Sequence, residues 1–332
     1  MPTAATFRSP RPSARAALVT AVAVLTAATA TACSTSSPSD AKASGSTSAA
    51  SGSGSGSGSG KKIEVVAAEN FWGSIAAQLG GDHVHVTSII GNPDTDPHDY
   101  EPKVADARSV AGARYTIVNG IGYDSWADKL LAANPASGRT ELKVGDLVGV
   151  KPGGNPHRWY SPDDVHKVIE RITGDYKKTD PAHAAYFDQR KTAYETKDLA
   201  AYTKLISEIK SKYAGTPIGA SESIVTPLAE GLGLKTLTPE TFLAAMSEGT
   251  DPTAKDKATI DDQIKNKQIK IYVYNSQNST PDVQAQVKEA KEAGIPVATV
   301  TETLAPANAT FQQWQTAQLQ GIEEALAKAT GR

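Results

Sequence analysis

Two histidines in this chain stand in proline-framed loops, and imidazoles presented in that way are candidate ligands for a transition metal. His98 lies in Asp96-Pro-His-Asp-Tyr-Glu-Pro102, and His157 lies in Asn155-Pro-His-Arg-Trp159. Each follows a proline, whose fixed φ stiffens the backbone that carries the ring. A neutral imidazole is a nitrogen ligand for Zn, Mn and Fe. Taken singly, each histidine also reads as an ordinary surface loop residue, and the residue types alone leave both readings open. His83 and His85 alternate along an expected strand and read as solvent-exposed, while His166 and His183 fall in helical stretches and read as structural. The chain has no His-Glu-x-x-His pair and no nucleophile motif, which argues against a metal-dependent hydrolase.

Cys33 is the other residue with chemistry of its own, and it is the sole cysteine in 332 residues. Ahead of it come Arg8, Arg11 and Arg15, then an apolar run over 16–25, then Ala30-Thr-Ala-Cys33. A charged start, a short apolar core and small residues before a cut site describe an export signal, too short for a stable membrane span. The segment resembles a lipobox, with Ala30 where leucine is commonest. Residues 1–32 are therefore the expected signal peptide and Cys33 the expected lipidation site. The mature chain then has no second cysteine for a disulfide and no Cys-based metal site. From 34 to 60 the composition collapses to Ser, Gly, Ala and Thr, ending in a Ser-Gly repeat. Such a segment buries no core, and 33–62 reads as a flexible tether with a root-mean-square span of roughly 30 Å.

The elements that must position the two histidines follow from the hydrophobic pattern. Strands are expected at 62–67, 83–90 and 115–119, with helices at 71–79, 103–113 and 123–133. The His98 loop falls after the second of these strands, at the kind of strand end where α/β sheets bind ligands. A mostly helical stretch runs from 162 to 213, broken near Thr179-Asp-Pro181. Residues 182–212 contain neither Pro nor Gly, which predicts one long helix on the order of 45 Å. Strands follow at 217–220, 235–237, 270–274 and 297–300, with helices at 224–232, 253–267, 281–293 and 310–328. This alternation predicts an α/β fold of two lobes, each with a mostly parallel sheet and flanking helices, joined by one long linking helix. The expected bounds are 63–175 for the first lobe, 176–214 for the linking helix and 215–332 for the second lobe.

Composition narrows the function classes. Lys+Arg 34 against Asp+Glu 36 gives near-neutral charge without a basic stripe, so nucleic acid is not an expected partner. Only 6% of residues are aromatic, which fits a small ion better than an organic solute in an aromatic-lined cavity. Nothing repetitive or patch-like supports an adhesin or structural role.

The motifs together resemble a known family. Asp96-Pro-His-Asp-Tyr-Glu-Pro, Asn119-Gly-Ile-Gly-Tyr-Asp-Ser-Trp, Asn155-Pro-His-Arg-Trp-Tyr-Ser-Pro and Ala293-Gly-Ile-Pro-Val look like the zinc/manganese-binding group of ABC-transporter solute-binding proteins, over residues 63–327. The resemblance implies one buried divalent ion held by two ligands from each lobe. By motif these are His98 and His157, then Glu222 in Ala220-Ser-Glu-Ser and Glu302 in Val300-Thr-Glu-Thr-Leu. Glu302 stands where the family usually has Asp, and Asn275, at the end of the strand over 270–274, is the reserve candidate. The His-rich loop of some zinc-specific members is absent. Two imidazoles and two carboxylates suit Mn, Zn or Fe, with the carboxylates tilting toward Mn, although the Irving–Williams order lets Zn bind tightly as well. The resemblance further implies a non-enzymatic, extracytoplasmic lipoprotein on the outer face of the cell membrane. It would act as a monomer with an ABC-transporter permease as its partner.

Overall fold

The computed structural model describes residues 61–93, 95, 97, 98 and 100–332; the signal segment, Cys33 and the tether up to residue 60 lie outside the described residues, as do Asp94, Asp96 and Asp99. The first sheet is made of β1 (Ile63–Glu69), β2 (Val84–Ile90), β3 (Tyr115–Val118) and β4 (Thr140–Lys143), with all pairings parallel and order β2-β1-β3-β4. As a central strand covered on both faces, β1 is apolar almost without interruption rather than alternating. Helices α1 (Asn70–Gly80), α2 (Val104–Gly112), α3 (Ser125–Ala133) and the short α4 (Val144–Val148) connect and flank these strands.

Three helical segments lead to the second sheet: α5 (Pro162–Thr179), α6 (Ala184–Ala193) and α7 (Ala200–Tyr213). Ser161 caps α5, its hydroxyl accepting from the Asp164 N–H, with Pro162 at the first helical position. The second sheet comprises β5 (Pro217–Ala220), β6 (Lys235–Thr236), β7 (Ile271–Asn275) and β8 (Val297–Val300), again all parallel, in the order β6-β5-β7-β8. It is flanked by α8 (Val225–Gly231), α9 (Glu240–Ser247), α10 (Ala254–Lys265), α11 (Pro281–Glu292) and α12 (Phe311–Thr330). The fold is the two-lobed α/β arrangement the sequence predicts.

One apolar core runs through both lobes, taking in Phe71, Trp159, Ile172, Ile218, Val273 and Phe311, while the other face of the first sheet has a smaller cluster around Val66, Val118 and Trp126. Polar contacts also tie the lobes. The Phe311 N–H donates to Ser74 Oγ at 2.9 Å, and the Tyr160 hydroxyl donates to the Thr301 carbonyl at 2.8 Å.

The structure departs from the sequence expectation in four places. The linking run is interrupted: a π-helical turn at Tyr194–Asp198 separates α6 from α7, with the Leu199 N–H donating to the Tyr194 carbonyl at 2.8 Å. The extra residue in that turn keeps Tyr194 and Leu199, five apart, on the same buried face, which a regular helix would not do. The boundary expected at 175 falls inside α5. His83 ends a 3₁₀ turn, Gly81–His83, instead of opening a strand. Finally, β4, α4 and α9 are elements the pattern did not reveal, because each is short and β4 buries only Leu142. Among the described residues, no helix is long and apolar enough to cross a membrane.

Candidate metal centre in the cleft

The C-terminal ends of the strands in both sheets open onto one cavity of about 490 Å³. Its lining includes His98, His157, Glu222, Asn275 and Glu302, so every residue singled out by motif reaches the same cleft. Three of them come close together. One donor atom each from His98, His157 and Glu302 lies within 4.8 Å of the others, with His98 exposed and the other two inward. Glu222 is 2% exposed and lines the cavity, but it stands outside that close triad, its Oε2 accepting from Asn278 Nδ2 at 2.8 Å.

His157 is held from several directions. The Asn155 side-chain oxygen lies 3.0 Å from the His157 backbone N–H, which donates to it, and 2.9 Å from ring Nδ1. An amide oxygen only accepts, so the ring proton belongs on Nδ1 and the lone pair on Nε2. Nε2 in turn lies 3.4 Å from Glu302 Oε1. Asn155 also reaches across the cleft, donating from Nδ2 to the Ser223 carbonyl at 2.7 Å. Behind it, Trp72 Nε1 donates to Asn119 Oδ1 at 3.1 Å, and Asn119 Nδ2 donates to the Pro156 carbonyl at 2.9 Å. The end of β3 thereby fixes the loop carrying His157. Outer partners of this kind set the tautomer and aim of a metal-binding imidazole.

Glu302 is equally supported. The Tyr123 hydroxyl donates to Oε1 at 2.9 Å, and Asn275 Nδ2 donates to Oε2 at 3.1 Å. The Asn275 oxygen accepts from the Gln277 N–H at 2.9 Å. Both ends of that amide are thus engaged, and Asn275 stands as a prop for Glu302. Burial alone would raise the Glu302 carboxyl, but the positive charge that the His157 and His98 rings carry when protonated, with the Tyr123 hydroxyl, outweighs it and holds the group below its ordinary range. An anionic carboxylate facing two imidazole nitrogens is a donor set for a divalent cation of the Zn, Mn or Fe class.

A feature the motifs did not signal lies beneath Tyr123. Glu69 ends β1 fully buried, at 0% exposure. Burial drives its carboxyl well above the usual value, the neighbouring Asp124 carboxylate adds to the shift, and Glu302 adds further. Asp124 is itself pushed up to about 6 by burial, against the opposing pull of the Gly120 and Asn119 N–H groups, which donate to it at 2.7 and 2.6 Å. The loop that supplies those groups has positive φ at Gly120, Ile121 and Gly122; Ile121, at φ 64°, takes a conformation uncommon for a β-branched residue. Within the sequence, Glu69 falls beyond the strand expected at 62–67, and nothing there marks it as buried.

Known proteins resemble this chain in sequence and in fold. The family model described as ZnuA, zinc-uptake complex component A periplasmic, matches residues 65–325. The zinc-binding lipoprotein AdcA of Streptococcus pneumoniae is 27% identical over 244 residues, covering 66% of this chain and 45% of AdcA. The chain therefore spans less than half the length of that relative. The manganese-binding lipoprotein MntA of Bacillus subtilis is 25% identical over 246 residues, covering 70% of this chain and 78% of MntA. Among solved structures, the Mn-bound periplasmic metal binding protein from candidatus liberibacter asiaticus superposes with a TM-score of 0.67 at 21% identity, over 80% of this chain and 100% of that one, and so shares its fold.

Proposed function

This chain belongs to the ZnuA family of periplasmic zinc-uptake components, and from that premise we propose that it captures a divalent transition-metal ion, Mn or Zn, in the cleft and delivers it to the permease of an ABC importer. The convergence of His98, His157 and Glu302 at the mouth of both sheets carries this reading. In it, His157 Nε2 and the Glu302 carboxylate form the buried part of the shell and His98 closes it from the exposed side. Glu222, which has 2% exposure on the same cavity, supplies the fourth ligand from the second lobe. The names of AdcA and MntA support the choice between zinc and manganese. Binding, with no chemical step, is the whole activity. The decisive experiment is elemental analysis of protein purified without added metal, followed by competition between Zn²⁺ and Mn²⁺. One tightly held ion per chain, with each metal displacing the other, is the expected result. A protein that takes up neither would overturn the reading.

The remaining parts of the proposal concern location and division of the chain. Residues 1–32 are removed, Cys33 carries lipid, and 33–62 tether a monomeric two-lobed body to the outer face of the membrane. A single acyl chain binds membrane only marginally, so anchoring needs the further acylation that lipoprotein processing supplies. Mass spectrometry of the membrane-bound form is expected to show a mature N-terminus at a lipid-modified Cys33. Peptides from residues 1–32 in that form would count decisively against it.

A further inference from the structure

Away from the cleft, three side chains distant in sequence converge on a second set of donors. His83 closes the 3₁₀ turn after α1, while Asp180 and His183 sit at the break between α5 and α6. Asp180 Oδ2 lies 2.7 Å from His183 Nδ1 and 3.9 Å from His83 Nδ1. The two imidazole centroids are 3.9 Å apart, and one donor atom from each of the three residues lies within 4.8 Å of the others. Asp180 and His183 alone are an i,i+3 pair of the kind that helix starts carry. That pairing does not account for His83, which arrives from a different element and lies against the His183 ring.

We propose that His83, Asp180 and His183 form a second, peripheral divalent-metal site, distinct from the cleft. Two imidazole nitrogens and one carboxylate oxygen suit Zn²⁺, Cu²⁺ or Ni²⁺. With bonds of about 2.0–2.1 Å, neighbouring donors in a tetrahedral zinc site stand about 3.3 Å apart. The two Asp180 separations bracket that value, so small side-chain rotations close the shell. All three residues are partly exposed, which leaves water to complete the coordination and gives the ion an entry path. Pro181 fixes the turn between Asp180 and His183. The Arg190 guanidinium, beside Gly81 and bonded to the Gln78 carbonyl, places a positive charge at the same end of α1, which makes this the weaker of the two sites. A metal here clips the end of α1 to the start of the linking run.

Tag-free mature protein titrated with Zn²⁺ by calorimetry is expected to show a tight and a weaker equivalent. His83→Ala and His183→Ala should each remove the weaker one and keep the tight one. His157→Ala should do the reverse, so failure here and failure of the cleft reading give different titrations. Metal-free melting temperatures near wild type establish that the variants fold, and Asp180→Asn is a second, milder probe. Cu²⁺ bound to the His157→Ala protein should give an electron paramagnetic resonance spectrum with coupling to two nitrogens, lost when His83→Ala is added. A single equivalent in wild type, or a weaker equivalent that survives both His83→Ala and His183→Ala, would overturn the proposal.

Discussion

Replacing His157 by alanine is expected to lower affinity for Zn²⁺ by more than about a hundredfold, beyond the ten- to hundredfold that loss of an outer-shell partner costs. The ring is 1% exposed, and its Nε2 is aimed at Glu302 by the Asn155 oxygen on the far nitrogen. No neighbouring side chain can take its place without breaking that set of bonds. The substitution also removes the largest of the influences holding the Glu302 carboxyl below its ordinary range. Leaving a buried charged group without its partner costs about 1–3 kcal/mol or more, so the metal-free variant should also lose stability. His98→Ala should weaken binding less, because His98 is exposed and water can reach the vacated position. Competition titration of wild type and both variants measures the order. A His157→Ala affinity within tenfold of wild type would remove His157 from the shell.

Glu69→Gln is expected to stabilise the metal-free protein, increasingly so as the pH rises. The folded chain raises the Glu69 carboxyl well above its ordinary 4.5, so above that pH the folded state holds a proton that the unfolded state has released. Stability carried by such a group is fully present below 4.5 and falls as pH rises toward the folded-state value, by about 1.4 kcal/mol per pH unit. A glutamine has the same shape and no proton to lose, so the variant escapes this decline. Asp124, raised from 3.8 to about 6, adds a decline of the same sign between those values and remains in the variant. Urea denaturation at several pH values between 4.5 and 7 should show the two proteins equal at the acid end and diverging above it. Parallel stability curves would mean that Glu69 is ionised in the folded state.

The sites divide cleanly into what a sequence exposes and what it hides. His98 and His157 were legible because proline neighbours and polar surroundings mark loops, and the alternation of strand and helix places the His98 loop at a strand end. Glu302 and Glu222 could be placed only through motif resemblance, since a glutamate after a strand or before a helix is ordinary by itself. Glu69 was hidden because burial of a carboxylate is a three-dimensional fact, and the residue falls beyond the strand expected at 62–67. His83 and His183 were assigned to unrelated elements, and only the return of α5 and α6 against α1 brings their rings together. The π turn was invisible for a related reason, because a spacing of five between buried residues becomes meaningful only when the buried face is known. The short β4 was missed because it is specified by pairing with β3 and hardly at all by its own residues.

The two sheets share one wiring. In each, the first strand lies between the second and the third, and the fourth is added beyond the third. Corresponding places in the two sheets carry different chemistry. The first strand of one half ends in Glu69, and that of the other leads into Glu222; both acids are buried, but only Glu222 lines the cleft. The last strand of one half leads through α4 to His157, and that of the other leads to Glu302. In the proposed shell, the first half thus presents neutral rings and the second half presents negative charge. Such a division gives unloading a direction. If the halves part, a dication in the proposed shell is expected to leave its uncharged ligands more readily than its anionic ones and to stay with the second half.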